Sequence, residues 1–161
     1  MSRLRKATAT VLAVLTLGAL SVSTAQPAAA DDGDWYEAKI LKVLSKSFGV
    51  NYNKKLPNHC NLPCTLSAQT SVTRTVGLTA GLTWKAATAK LGISNSKTKS
   101  VTVSCSALKT ASHYYLVAYA EGYTYQYRVE QKTYDAFGAL KRTEQMTLVA
   151  FDPTGAHCVA E

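Results

Sequence analysis

Hydroxyl side chains occupy seven successive alternate positions of this chain: Ser94, Ser96, Thr98, Ser100, Thr102, Ser104 and Ser106. Lys97, Lys99, Val101, Val103 and Cys105 stand between them. A two-residue period cannot be satisfied by a helix, whose faces repeat near 3.6 residues, so this stretch reads as a β-strand with two unlike faces. Upstream, Ser71, Thr73 and Thr75 alternate with Val72, Arg74 and Val76 in the same way, and the two strands are expected to pair as arms of a hairpin spanning 67–106. The intervening 77–92, with Leu78, Leu82, Trp84 and an alanine-rich turn at Ala86, Ala87 and Ala89, fits strand, short helix or flexible tip equally well.

The last third carries further β-pattern. His113 to Ala120 is rich in Tyr, Leu and Val, and Tyr123, Tyr125 and Tyr127 alternate with Thr124, Gln126 and Arg128. Glu121-Gly122 and Asp135-Ala136-Phe137-Gly138 read as turns, and Thr143 to Phe151 as a strand stopped at Asp152-Pro153-Thr154-Gly155. The tyrosines should line one sheet face, with Tyr115 and Tyr119 as candidates to join it on an adjacent strand. The expected fold class is mainly β: an antiparallel meander or sandwich-like domain, tied by disulfides and preceded by an amino-terminal amphipathic helix or arm.

That helix is expected over Trp35 to Phe48. Asp34 and Glu37 suit a capping box, while Tyr36, Ile40, Leu44 and Phe48 recur every four residues and Lys39, Lys42 and Lys46 populate the other side. With Trp35 these residues form a candidate partner-binding stripe. Ahead of it, Arg3, Arg5 and Lys6, an apolar run from Val11 to Leu20, and Pro27-Ala28-Ala29-Ala30 have the order of a cleaved signal peptide. Cleavage after Ala30 leaves 131 of the 161 residues. The expected organisation is thus a signal at 1–30, an arm at 31–50 and a β-rich domain at 51–161, secreted to the outside of the cell.

Export gives the cysteines their meaning. Cys60, Cys64, Cys105 and Cys158 are even in number, as two disulfides require in an oxidising compartment. Three pairings are open; bridges from the Cys60/Cys64 region to Cys105 and Cys158 would close the longer loops and restrict the unfolded chain most. Zinc, the rival, is disfavoured because only one closely spaced cysteine pair exists.

Without Arg3, Arg5 and Lys6 the basic residues fall from 18 to 15 against 10 acidic ones, a net charge of +5. No acid occurs between Glu37 and Glu121, whereas 11 bases do. Such a field attracts anionic partners, a cell-surface polymer or membrane before nucleic acid, with Arg74, Lys97 and Lys99 as candidate anion contacts. Chemistry for an enzyme is not visible. There is no G-x-S-x-G elbow, no phosphate-cradling glycine loop and no metal motif, so no catalytic residue and no cofactor is expected.

Two resemblances add to this. The alternating Ser/Thr hairpin over 67–106 looks like the membrane-inserting hairpins of aerolysin-type pore-forming toxins, which implies membrane activity. The whole chain, with its signal, its arm over Asp31 to Phe48 and its disulfide-tied β-domain, resembles small secreted proteins of high-GC Gram-positive bacteria. Among these are the adaptor subunits of the umbrella-shaped toxin particles of Streptomyces. That resemblance implies a non-enzymatic adaptor whose partner is another secreted protein or toxin subunit. A small hydrolase or protease inhibitor is the remaining alternative.

Overall fold

A computed structural model describes residues 33–108 and 112–161. The expected signal peptide at 1–30 lies outside the described residues. The fold is mainly β, built from antiparallel strands in two sheets. The strands are β1 (Trp35–Asn61), β2 (Cys64–Thr73), β3 (Thr75–Val76), β4 (Thr98–Ala107), β5 (Tyr115–Tyr134) and β6 (Leu140–Ala160), with one helix, α1 (Trp84–Leu91), between β3 and β4. A four-stranded sheet has the order β1-β5-β6-β3, and β2 pairs with β4 in the other.

The helix expected over Trp35 to Phe48 is instead the first half of β1. Spacing explains the difference. Tyr36, Ile40, Leu44 and Phe48 recur every four residues, which is also a multiple of the strand period, so the pattern fits either element until a partner strand decides. The partner is β5, which pairs with β1 from Trp35↔Tyr134 to Asn61↔Tyr115. The ladder skips Leu41 and Leu44, and again at 51–55 and 55–59, and these bulges bend the long strand.

Two of the expected turns are also strand. Glu121-Gly122 lies inside β5 and Asp152-Pro153-Thr154-Gly155 inside β6, so the meander becomes one long hairpin of β5 and β6. Glu121 pairs with Gly155 and Gly122 with Pro153, which leaves Thr154 as the extra residue of a bulge. Glycine at 122 marks a close approach of backbones rather than a reversal: a Cβ there would stand 2.2 Å from the Asp152 carbonyl oxygen. The turn at Asp135 to Gly138 is present, with the Asp135 carboxylate accepting from the amides of Phe137 at 2.9 Å and Ala139 at 2.8 Å.

The Ser/Thr arms pair as expected, in unbroken register from Cys64↔Ala107 to Thr73↔Thr98. Between them the chain detours. β3 joins the edge of β6, and the undecided 77–92 contains α1, capped by the Thr83 hydroxyl on the Ala86 amide at 3.2 Å and ended by Gly92 in the left-handed region.

The sheet is covered on opposite faces at its two ends. Adjacent residues of β6 show this, since successive side chains of a strand point oppositely. Ala150 packs with Leu82, Ala87, Leu91, Tyr125, Tyr127 and Val129 beneath α1, whereas Phe151 packs with Val72, Val101, Val103, Ala118 and Ala120 beneath the β2–β4 hairpin. Tyr127 is fully buried, and its hydroxyl donates to the Gly77 carbonyl, fastening the start of the detour to β5. Burial pushes its pKa up to about 12.

Two disulfides are present, Cys60–Cys64 and Cys105–Cys158. This corrects the longer-loop pairing expected from sequence. Cys60 ends β1 and Cys64 opens β2 across a short connection, while packing of β4 on β6 brings Cys105 and Cys158 within 6.3 Å between Cα atoms.

Candidate functional site

β1 is an edge strand. One side of its backbone is hydrogen-bonded to β5, and among the described residues no strand pairs with the other. Six of the 13 large hydrophobic side chains exposed among the described residues belong to it: Trp35, Leu41, Val43, Leu44, Phe48 and Tyr52. Scattered exposed leucines need no explanation, but a concentration on one unpaired edge does.

The residues first grouped as a helical stripe are separated by the strand. Ile40 faces the core beneath α1, and Tyr36 is half-buried. Trp35 stacks on Tyr134 with ring centroids 4.1 Å apart. Leu44 sits at a bulge, exposed, and Phe48 is 57% exposed with its ring edge-on to Tyr123 at 5.3 Å. Of the five, Trp35, Leu44 and Phe48 remain exposed, and they are joined by Tyr52, which sequence reasoning missed. Tyr52 is 63% exposed and packs edge-on to Tyr119 at 5.3 Å. Its signal was its parity, since 48, 50 and 52 share one face of a strand.

One parity unites the tyrosines of β5. Tyr125 and Tyr127 are buried under α1, while Tyr123 and Tyr119, farther along the same strand, continue the row half-buried beside Phe48 and Tyr52. Lys46 crosses this patch with its ammonium 4.3 Å from the Tyr123 ring centre and 5.2 Å from that of Tyr125. At the far end the Tyr119 hydroxyl donates to the Glu161 carboxylate, which raises the Tyr119 pKa and lowers that of Glu161, and Lys55 reaches the same carboxylate at 3.4 Å. From Lys46↔Tyr125 to Asn51↔Ala120 the ladder with β5 is unbroken, so the opposite edge of this stretch is regular backbone.

The opposite face of the same strands is polar, with Lys42 beside Arg128, Ser45 beside Gln126 and Ser47 beside Thr124.

The acid-poor block is partly neutralised by the chain that follows it. Lys39 meets Glu130 at 3.0 Å, and Arg74 meets Asp152 at 2.5 Å. Arg74 is 6% exposed and also donates to the carbonyls of Ser96 and Thr98 at 2.9 Å, so it is a buried joint between β2, β4 and β6 and not an anion contact. Lys97 is exposed at the hairpin rim, and Lys99 is half-buried on its inner side. The two disulfides consume all four cysteines. No cluster of three His, Cys, Asp or Glu residues suited to a metal occurs among the described residues. Compared with family models, with curated proteins and with solved structures, the chain matches none of them, and its function is read from the geometry above.

Proposed function

We propose that this chain is a secreted, non-enzymatic binding protein that acts as an adaptor in an extracellular assembly, holding a partner protein along the free edge of β1. The observation that carries the reading is the stretch 46–51: an unbroken strand edge with no pairing strand among the described residues, flanked by the exposed rings of Phe48 and Tyr52. An added strand gains main-chain hydrogen bonds from such an edge, and pockets for alternate side chains give selectivity. Long exposed edges also invite indiscriminate pairing. The bulges at Leu41 and Leu44 and the lysines Lys39, Lys42 and Lys46 limit that hazard to the regular stretch.

Few side chains dominate such an interface, and buried aromatic anchors are prominent among them. The double variant Phe48→Ser/Tyr52→Ser is expected to keep the fold, because both rings lie on the surface, and to weaken partner binding by about 30-fold or more. Val149→Ser, at another exposed apolar side chain, serves as control and should bind as the wild type does. Thermal melts and partner titration of the three proteins check this. Undiminished binding by the double variant would rule out the β1 edge.

The membrane-active reading has one observation in its favour. Each hairpin arm is 10 residues long, with a hydroxyl-rich polar face and an opposite face that is apolar apart from Thr70 and Lys99, close to the alternation of a membrane-crossing β-strand. Against it, Cys105–Cys158 staples β4 to β6, so the arms cannot leave the sheet while that bond is intact.

A further inference from the structure

The solvent face of the β2–β4 hairpin is a second surface, separate from the β1 edge. Its cross-strand rungs run from Thr65↔Ser106 through Gln69↔Thr102 to Thr73↔Thr98. All 10 side chains on this face are exposed, and 9 of them are Ser or Thr. Solubility does not demand such uniformity, since exposed strands are ordinarily protected by charged side chains. No charged side chain stands on this face. Lys99 is on the inner side opposite Val72, and Arg74 is buried against Asp152.

The strands that carry the hydroxyls are also fixed in place. Val72, Val101 and Val103 on the inner side are buried against the four-stranded sheet, and Cys105 is bonded to Cys158. Two hydroxyl rows are therefore held about 5 Å apart, recurring about every 6.7 Å along each strand. A surface ordered in advance loses little entropy when it binds.

Charge sets the sign of the ligand. Residues 38–120 include both arms, α1 and most of β1, and they contain no carboxylate. Lys97 adjoins Thr98 at the rim, and the Lys54 ammonium reaches the Thr73 carbonyl at 3.2 Å. The Asp152 carboxylate is already neutralised by Arg74. Hydroxyl rows that donate to anionic oxygens, within a basic surround, complement a polyanion. The face has no aromatic or guanidinium plane for stacking bases, which disfavours nucleic acid, and no apolar side chain to enter a bilayer.

We infer that this face binds an anionic polyol polymer, a chain of hydroxylated units joined by phosphodiesters. An extended glycerol phosphate repeat has as many backbone bonds as two residues of polypeptide, so its phosphates recur at about the spacing of the hydroxyl rungs.

Calorimetric titration of the disulfide-intact protein with poly(glycerol phosphate), dextran, single-stranded DNA and phosphatidylglycerol vesicles tests this. Binding to poly(glycerol phosphate) in preference to the other three is expected, weakening with salt. Ser71→Ala/Thr102→Val/Ser104→Ala should lose about tenfold or more in affinity for that polymer, at an unchanged net charge. Lys97→Gln should reduce the salt dependence. Absence of binding at low salt, equal binding of DNA or vesicles, or full affinity in a folded triple variant would each overturn the inference. The comparison among the four probes decides it even where the triple variant is poorly folded. Phe48→Ser/Tyr52→Ser should bind the polymer normally, which separates this surface from the adaptor edge.

Discussion

Replacing Cys105 and Cys158 together by serine is expected to destabilise the domain by about 4 kcal/mol, against about 2 kcal/mol for the same change at Cys60 and Cys64. The difference is one of loop length. Cys105–Cys158 joins positions 53 apart in sequence and Cys60–Cys64 positions 4 apart, and the longer closed loop removes more freedom from the unfolded chain. For a domain of this size the larger loss lowers the melting temperature by roughly 15 °C. Denaturant titrations of the two double variants measure both. The same variant separates adaptor from pore. Opening the staple lets β4 part from β6, so a pore-forming hairpin should leak dye from vesicles only in the Cys105→Ser/Cys158→Ser protein. The adaptor reading expects no leakage from either form.

Gly122→Ala is expected to be the most damaging single substitution, costing about 4 kcal/mol or abolishing folding altogether. Its Cβ would stand 2.2 Å from the Asp152 carbonyl oxygen and 2.7 Å from the Pro153 Cα, both backbone atoms of the paired strand. Relief requires β5 and β6 to separate where Asp152 holds the buried Arg74 guanidinium, so a packing clash becomes the loss of a buried ion pair as well. Gly49 provides the control. It lies directly opposite Gly122 on β1, with nothing within 4 Å of an added Cβ, and Gly49→Ala should change stability by no more than about 0.5 kcal/mol. Equal melting of the two variants would contradict the close approach of β5 and β6.

The parts of this fold that were legible in the sequence are those governed by local chemistry. Strict alternation identified both hairpin arms, and the Asp135 to Gly138 turn announced itself through a side chain that bonds its own backbone. What was illegible depended on partners distant in the chain. The spacing of Tyr36, Ile40, Leu44 and Phe48 suits helix and strand alike, and only β5 resolves it. Glycine at 122 and proline at 153 look like turns to a reader who cannot see that two strands press together there. Arg74 looked like a surface cation because Asp152, its partner, is 78 residues away. The candidate site was half legible: Phe48 was singled out for its apolar ring on an expected helix that is a strand, and Tyr52 needed the strand period to be found.

In the proposed adaptor role the native protein works bound to another along β1. The most direct test of that role is the mass of the protein recovered under mild conditions from culture fluid, where the proposed secretion would put it, by native mass spectrometry. A discrete complex heavier than the lone chain is expected, dissociating to the lone chain in Phe48→Ser/Tyr52→Ser. The lone chain at every concentration, or a complex untouched by the two substitutions, would contradict it.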